Sequence, residues 1–277
     1  MTTKLVGILN VTPDSFSDGG KFNSLENAIF HLKKMLNDGA DMIDIGAEST
    51  RPGFTPVSVE EEWKRLQELL PKIIHEVKNF NHENNKKVTT SIDTRHFETA
   101  KKAYELGVDI INDVDGLIDD RTIDFIAQNN ITTILMHNLK VPAIEETLIN
   151  KHLNLIVEII KWAQEKISYL IQKGVKKSQL IFDVGIGFGK NSLQSIRILK
   201  NIDEFRVLEL PLYVGHSKKS FLEAIDFSEI GENLDRAEKT LVISDYLIKK
   251  NIDFIRVHDV EKNKFLIHNS SFRKTPL

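Results

Sequence analysis

Three features of the chain predict an α/β architecture: a closed (β/α)8 barrel made of a single domain over residues 1–277. Eight short β-branched runs alternate with helical patterns. Each run is nearly continuous in apolar residues, as parallel strands buried on both faces require. Glycines close the helical segments just before the next run, at Gly39, Gly107 and Gly174.

The predicted strands are 4–11, 41–46, 87–93, 108–114, 131–137, 179–185, 212–217 and 253–260. Helical spacing fills the gaps. Over 24–38 it puts Leu25, Ile29, Leu32 and Leu36 on one face, with Ser24 as the N-cap. Residues 58–77 open with SVEEEW, a serine followed by glutamates, which marks a helix start. Residues 95–106, 119–129, 145–172, 191–201 and 233–250 follow the same logic, and the tail after residue 260 makes a short, poor last helix. An open doubly wound sheet is the alternative. It calls for GxGxxG directly after the first strand, and that motif is absent there.

Composition narrows the chemistry. The net charge of −3 gives no field for nucleic acid, so an anionic ligand must meet a local group of cations. Without cysteine there is no disulfide, thiolate metal site or cysteine nucleophile. The apolar start is too short and too soon broken for a signal peptide, and no run approaches a membrane span, which predicts a cytoplasmic protein.

In such a barrel the C-terminal strand ends converge on one mouth. Those ends carry Asn10, Glu48 to Gly53, Asp93, Asn112 and Asp113, Met136 and His137, Asp183 with GIGFGK, HSKKS over 216–220, and Arg256, His258 and Asp259. Burying an unpaired carboxylate or amide costs several kcal/mol, about 2–7 for an amide, so eight polar ends at one mouth indicate a site. Asp93, Asn112, Asp183 and Lys219 form a donor and acceptor set suited to a 2-amino-4-oxo heterocycle. Ser49, Thr50, Arg51, Arg256 and His258 form an anion set. GIGFGK is a weak candidate for a phosphate cradle. Together the sets point to a heterocyclic pyrophosphate. Such a substrate brings Mg2+, for which Asn10 is the best protein ligand on offer. The more ordinary roles are a helix cap for Asp93, a turn contact for Asn112, structural pairing for His137 and His216, and a solvated Lys218.

The motifs NVTPDSFSDGG, GAESTRPG, SIDT, INDV, LMH, DVGIGFGK, GHSKKS and RVHDV occur in this order between residue 5 and about residue 260. Together they resemble the dihydropteroate synthase family of pterin-binding TIM barrels, the target of sulfonamides. The resemblance implies a homodimeric transferase of folate biosynthesis. It would join 6-hydroxymethyl-7,8-dihydropterin pyrophosphate to para-aminobenzoate with Mg2+, through an SN1-like step. By the same resemblance Asp93, Asn112, Met136, Asp183, Phe188 and Lys219 hold the pterin. Asn10, Thr50, Arg51, Arg256 and His258 hold the pyrophosphate, with Asn10 at the metal. Phe16, Pro52 and Ser220 line the para-aminobenzoate site. Asp18 shields the cation formed when pyrophosphate leaves, and Lys219, Arg256 and His258 share in catalysis. The opening loop from Thr12 to Gly20 is expected to act as a lid.

Two motifs depart from the family pattern. Val184 stands where proline is usual, and Lys218 where arginine is usual. A related barrel that moves a methyl group from a reduced folate would need the pterin set but not Phe16 or the anion set. A non-catalytic pterin binder is the third possibility.

Overall fold

The structure, a computed structural model, describes residues 2–11, 20–48, 56–138, 154–230, 233–269 and 277; over 20–24 it describes the backbone alone. Its eight strands are β1 (Lys4–Asn10), β2 (Met42–Gly46), β3 (Thr89–Asp93), β4 (Ile110–Asp113), β5 (Thr132–Met136), β6 (Leu180–Asp183), β7 (Leu212–Gly215) and β8 (Phe254–Val257). They pair in parallel in sequence order, and β1 also pairs with β8, which closes the barrel. All eight lie inside the apolar runs of the sequence, with one or more residues trimmed from the ends.

The helices are α1 (Gly20–Asn37), α2 (Val59–Leu66), α3 (Leu70–Asn84), α4 (Phe97–Leu106), α5 (Asp120–Asn129), α6 (Leu155–Gln172), α7 (Ser192–Lys200), α8 (Arg236–Lys249) and α9 (Val260–His268). Side-chain caps start most of them. Ser58 accepts from the Glu61 amide, Asn191 and Gln194 form a capping box, and so do Asp235 and Glu238.

Three helical expectations need correction. Helix α1 starts at Gly20, so Ser24 lies inside it and is not its cap. The single helix expected over 58–77 is two, α2 and α3. Pro71 sits in the first turn of α3, where a missing N–H is harmless, but its ring could not continue a helix from α2. The break lets Leu66, Leu69 and Leu70 all reach the core. The helix expected over 145–172 starts at Leu155, with its earlier part outside the described residues.

Side chains alternate in and out along each strand. One inward layer is apolar: Val6, Met42, Ile110, Ile134, Ile181, Tyr213 and Phe254 pack together as a plug inside the barrel. Two residues further along the same strands, toward the mouth, stand Ile8, Asp44, Asn112, Met136, Asp183, Gly215 and Arg256. The period of two therefore sets a polar layer directly above an apolar floor.

Candidate active site

Asp44, on β2, is the hub of the polar layer. It is fully buried, and its carboxylate accepts from Ser91 Oγ at 2.6 Å, from Asn112 Nδ2 at 3.2 and 3.3 Å, and from Arg256 Nε at 2.6 Å. Arg256 also donates through Nη2 to Asp93 at 2.9 Å. One guanidinium thus bridges two carboxylates across the barrel. Burial and the charge of Asp44 push Asp93 up to about 8, with Arg256 pulling the other way. Asp93 is not a helix cap; His96 occupies that position for α4.

The contact with Asp44 also fixes which way the Asn112 amide faces. Its NH2 must turn to the carboxylate, so Oδ1 faces the other way, buried and without a hydrogen-bond partner among the described residues. Asn112 therefore offers a waiting acceptor and makes more than a turn contact.

Asp183 ends β6 and accepts the Gly185 amide at 2.8 Å. Burial raises its pKa, and Lys219 is the strongest opposing influence. Lys219 itself is half-buried, and burial lowers it to about 8, with Asp183 resisting. Its ammonium donates to the Ile186 carbonyl and lies 4.6 Å from the centre of the Phe188 ring. Met136 is buried at the end of β5. The structure thus gathers Asp93, Asn112, Met136, Asp183, Phe188, Lys219 and Arg256 on the ends of β3 to β8 and the loops that follow.

His258, just past β8, faces Ser217. The Ser217 hydroxyl takes the His258 amide at 3.3 Å and meets Nδ1 at 2.8 Å, which fixes the orientation of the ring. Asn10 is half-buried at the end of β1. Ser220 is exposed and opens a 3-10 turn over Ser220–Ala224. Phe16, Asp18, Thr50, Arg51 and Pro52 lie outside the described residues, as does most of the expected lid.

Several structural roles are clear. His216 is buried with Nε2 at 2.8 Å from Ser244 Oγ, and burial pulls it down to about 4. His137 packs edge-on against Trp162 at 4.8 Å. Lys218 is exposed. Val184 is fully buried in the core, so its apolar bulk is used. The GIGFGK loop is not an open phosphate cradle. Carbonyls of the loop converge on Lys190, whose Nζ donates to those of Gly185 and Phe188.

Two groups escaped the sequence reading. Asp44 sits mid-strand, and attention to strand ends passes over it; a carboxylate inside the apolar run MIDIG was the available signal. Glu48 was seen only as part of a strand end. Its carboxylate takes both the Arg95 fork, at 2.9 and 3.1 Å, and the Val57 amide, at 2.8 Å. It thereby ties together the two sides of the segment that carries Thr50 and Arg51.

Fold and site together define a single-domain (β/α)8 enzyme with a buried acceptor layer and cations at its mouth. A family model described as "Pterin binding enzyme" matches residues 6–258. A dihydropteroate synthase of Clostridium beijerinckii is 37% identical over 262 residues, covering 94% of this chain and 90% of that protein. Among solved structures, the dihydropteroate synthase of Anaplasma phagocytophilum with bound 6-hydroxymethylpterin-monophosphate is similar, with a TM-score of 0.83, 38% identity and 98% of each chain covered. That of Xanthomonas albilineans with 4-aminobenzoic acid has a TM-score of 0.82 and 29% identity, covering 96% of this chain and 91% of that one. The chain belongs to the pterin-binding enzymes and, within them, to the dihydropteroate synthase family.

Proposed function

We propose that this barrel condenses 6-hydroxymethyl-7,8-dihydropterin pyrophosphate with para-aminobenzoate, giving 7,8-dihydropteroate and pyrophosphate. The observation that carries the reading is the buried acceptor layer. Asn112 Oδ1, Asp93 and Asp183 stand ready for the N–H groups of a pterin, while Lys219 offers a donor for its ring carbonyl. The relatives bound to a hydroxymethylpterin phosphate and to 4-aminobenzoic acid support the same pair of substrates.

The chain's own groups divide the work. Asp93, Asn112, Asp183 and Lys219 orient the pterin edge, and Met136 and Phe188 pack on the ring. Arg256, His258, Thr50 and Arg51 face the departing pyrophosphate, where fixed donors stabilise developing charge. Ser217 meets both the amide and Nδ1 of His258 and so holds the ring in place for this role. As pyrophosphate leaves, the electron-rich dihydropterin spreads the positive charge and Asp18 shields it. The neutral arylamine then attacks, held by Phe16, Pro52 and Ser220, and no covalent nucleophile is needed.

Mg2+ fits this site through Asn10, a half-buried amide oxygen at the mouth, because that ion takes few protein ligands when phosphate oxygens and water complete its shell. When bound it neutralises charge on the pyrophosphate. Among the described residues no helix is long and apolar enough to cross a membrane. A cytoplasmic homodimer is part of the proposal.

The test is pyrophosphate release by purified protein. It should require the pterin pyrophosphate, para-aminobenzoate and Mg2+ together. No release from the complete mixture at micromolar protein would overturn the reading.

A further inference from the structure

Lys190 closes the loop after β6, and its side chain turns into the protein, leaving 6% of the residue exposed. Its Nζ donates to three carbonyls: His137 at 3.0 Å, Gly185 at 2.9 Å and Phe188 at 3.1 Å. Three oxygens around one nitrogen call for three N–H donors, which only the ammonium has. A neutral amine has two and would turn its lone pair on the third oxygen. Burial pushes Lys190 down to about 7, Asp183 holds it up, and Lys219 adds to the push.

The three acceptors come from two places. His137 follows β5, while Gly185 and Phe188 belong to the loop after β6. The ammonium therefore bolts that loop to the neighbouring strand end. The approach is close: a Cβ on Gly185 would lie 1.9 Å from the His137 oxygen, and Gly185 has a φ of +65°. The bolted loop also grips Lys219, through the carbonyl of Ile186 and the ring of Phe188.

We propose that Lys190 is a positioning residue for the pterin. Its ammonium holds the 185–189 loop so that Ile186 and Phe188 aim the Lys219 ammonium at the ring-binding side of the site. The inference rests on the pterin reading of that site.

The test uses the full chain as wild type, Lys190→Met and Lys190→Gln. Steady-state kinetics vary each substrate in turn, and calorimetry measures binding of 6-hydroxymethylpterin. Lys190→Met should raise KM for the pterin pyrophosphate about tenfold, leave KM for para-aminobenzoate within about twofold, and weaken 6-hydroxymethylpterin in parallel. Lys190→Gln still has two donors and should fall between Met and wild type. Lys190 loses its third donor as pH rises through about 7, so in the wild type KM for pterin pyrophosphate should rise across that range, a step that Lys190→Met lacks.

Equal effects on both substrates with an unmoved pH profile would show a merely structural lysine and overturn the proposal. So would wild-type affinity for 6-hydroxymethylpterin in Lys190→Met. If neither variant folds, nitrogen NMR on the wild type decides. A slowly exchanging lysine ammonium that slows further on adding 6-hydroxymethylpterin supports the proposal, and one indifferent to it overturns it. A wild type that does not bind 6-hydroxymethylpterin overturns the pterin reading, and this inference with it.

Discussion

Replacing Asp44 with asparagine keeps the shape of the hub and removes its charge. The carboxylate now serves Ser91, Asn112 and Arg256 at once. An asparagine has one oxygen to give. The oxygen that faces Arg256 also lies 3.2 Å from Asn112 Nδ2, so that contact survives, while the new NH2 sits 3.3 Å from the same Asn112 NH2, two donors side by side. The hold that keeps Asn112 Oδ1 turned to the site is weakened, and the flipped amide gains population. The variant therefore loosens the polarity of a neighbour it does not replace.

Breaking a buried pair costs about 3–5 kcal/mol, but Asp93 still pairs with Arg256, so about 2–3 kcal/mol is expected. At about 2.1 cal/mol/K per residue the 277-residue chain unfolds with an entropy of about 0.6 kcal/mol/K, so the melting point should fall by about 3–5 °C. Losing the proposed hydrogen bond from the pterin to the neutral Asn112 Oδ1, worth about 0.5–1.5 kcal/mol, should lower kcat/KM for pterin pyrophosphate about 2- to 10-fold. Scanning calorimetry and pyrophosphate release measure both. A melting point within about 1 °C of wild type together with an unchanged KM would refute the account of Asp44 as the hub.

Other substitutions probe separate parts of the molecule. Glu48→Gln weakens the Arg95 fork and should cost about 1–2 kcal/mol, read as a thermal shift of about 2–3 °C; no shift would mean that the tie holds nothing. Tyr213→Phe removes a buried hydroxyl with no partner among the described residues, so melting should stay level or rise by about 1 °C, and a clear fall would show that the hydroxyl is satisfied in solution. Asp113 is buried, and that burial raises it to about 7 against the Asp115 amide. As pH rises from about 4 to about 7 the unfolded chain loses this proton while the folded chain keeps it, so the group makes stability decline across that window. Asp113→Asn should flatten that part of a urea-denaturation series against pH, and an unchanged slope would count against the shift.

The strands were legible because burial on both barrel faces leaves near-continuous apolar runs, and the site was legible because polar groups at buried strand ends stand out. What stayed hidden depended on facts that spacing does not carry. The break between α2 and α3 needed the meaning of Pro71, which reads equally as a kink or a restart. The inward turn of Lys190 could not be seen, since a glycine loop ending in lysine suits a phosphate as well as three carbonyls. Asp44 was masked by its neighbours, because a run such as MIDIG registers as a strand before its one carboxylate registers as a problem. The pairing of Arg256 with Asp93 spans 163 residues and arises only when the barrel closes.

The apolar plug beneath the polar layer has a consequence for traffic. Val6, Met42, Ile110, Ile134, Ile181, Tyr213 and Phe254 seal the far end, so the vessel has a single door. Whatever comes to rest on Asp93, Asn112 and Asp183 must therefore enter and leave by the mouth, past the cations at its rim.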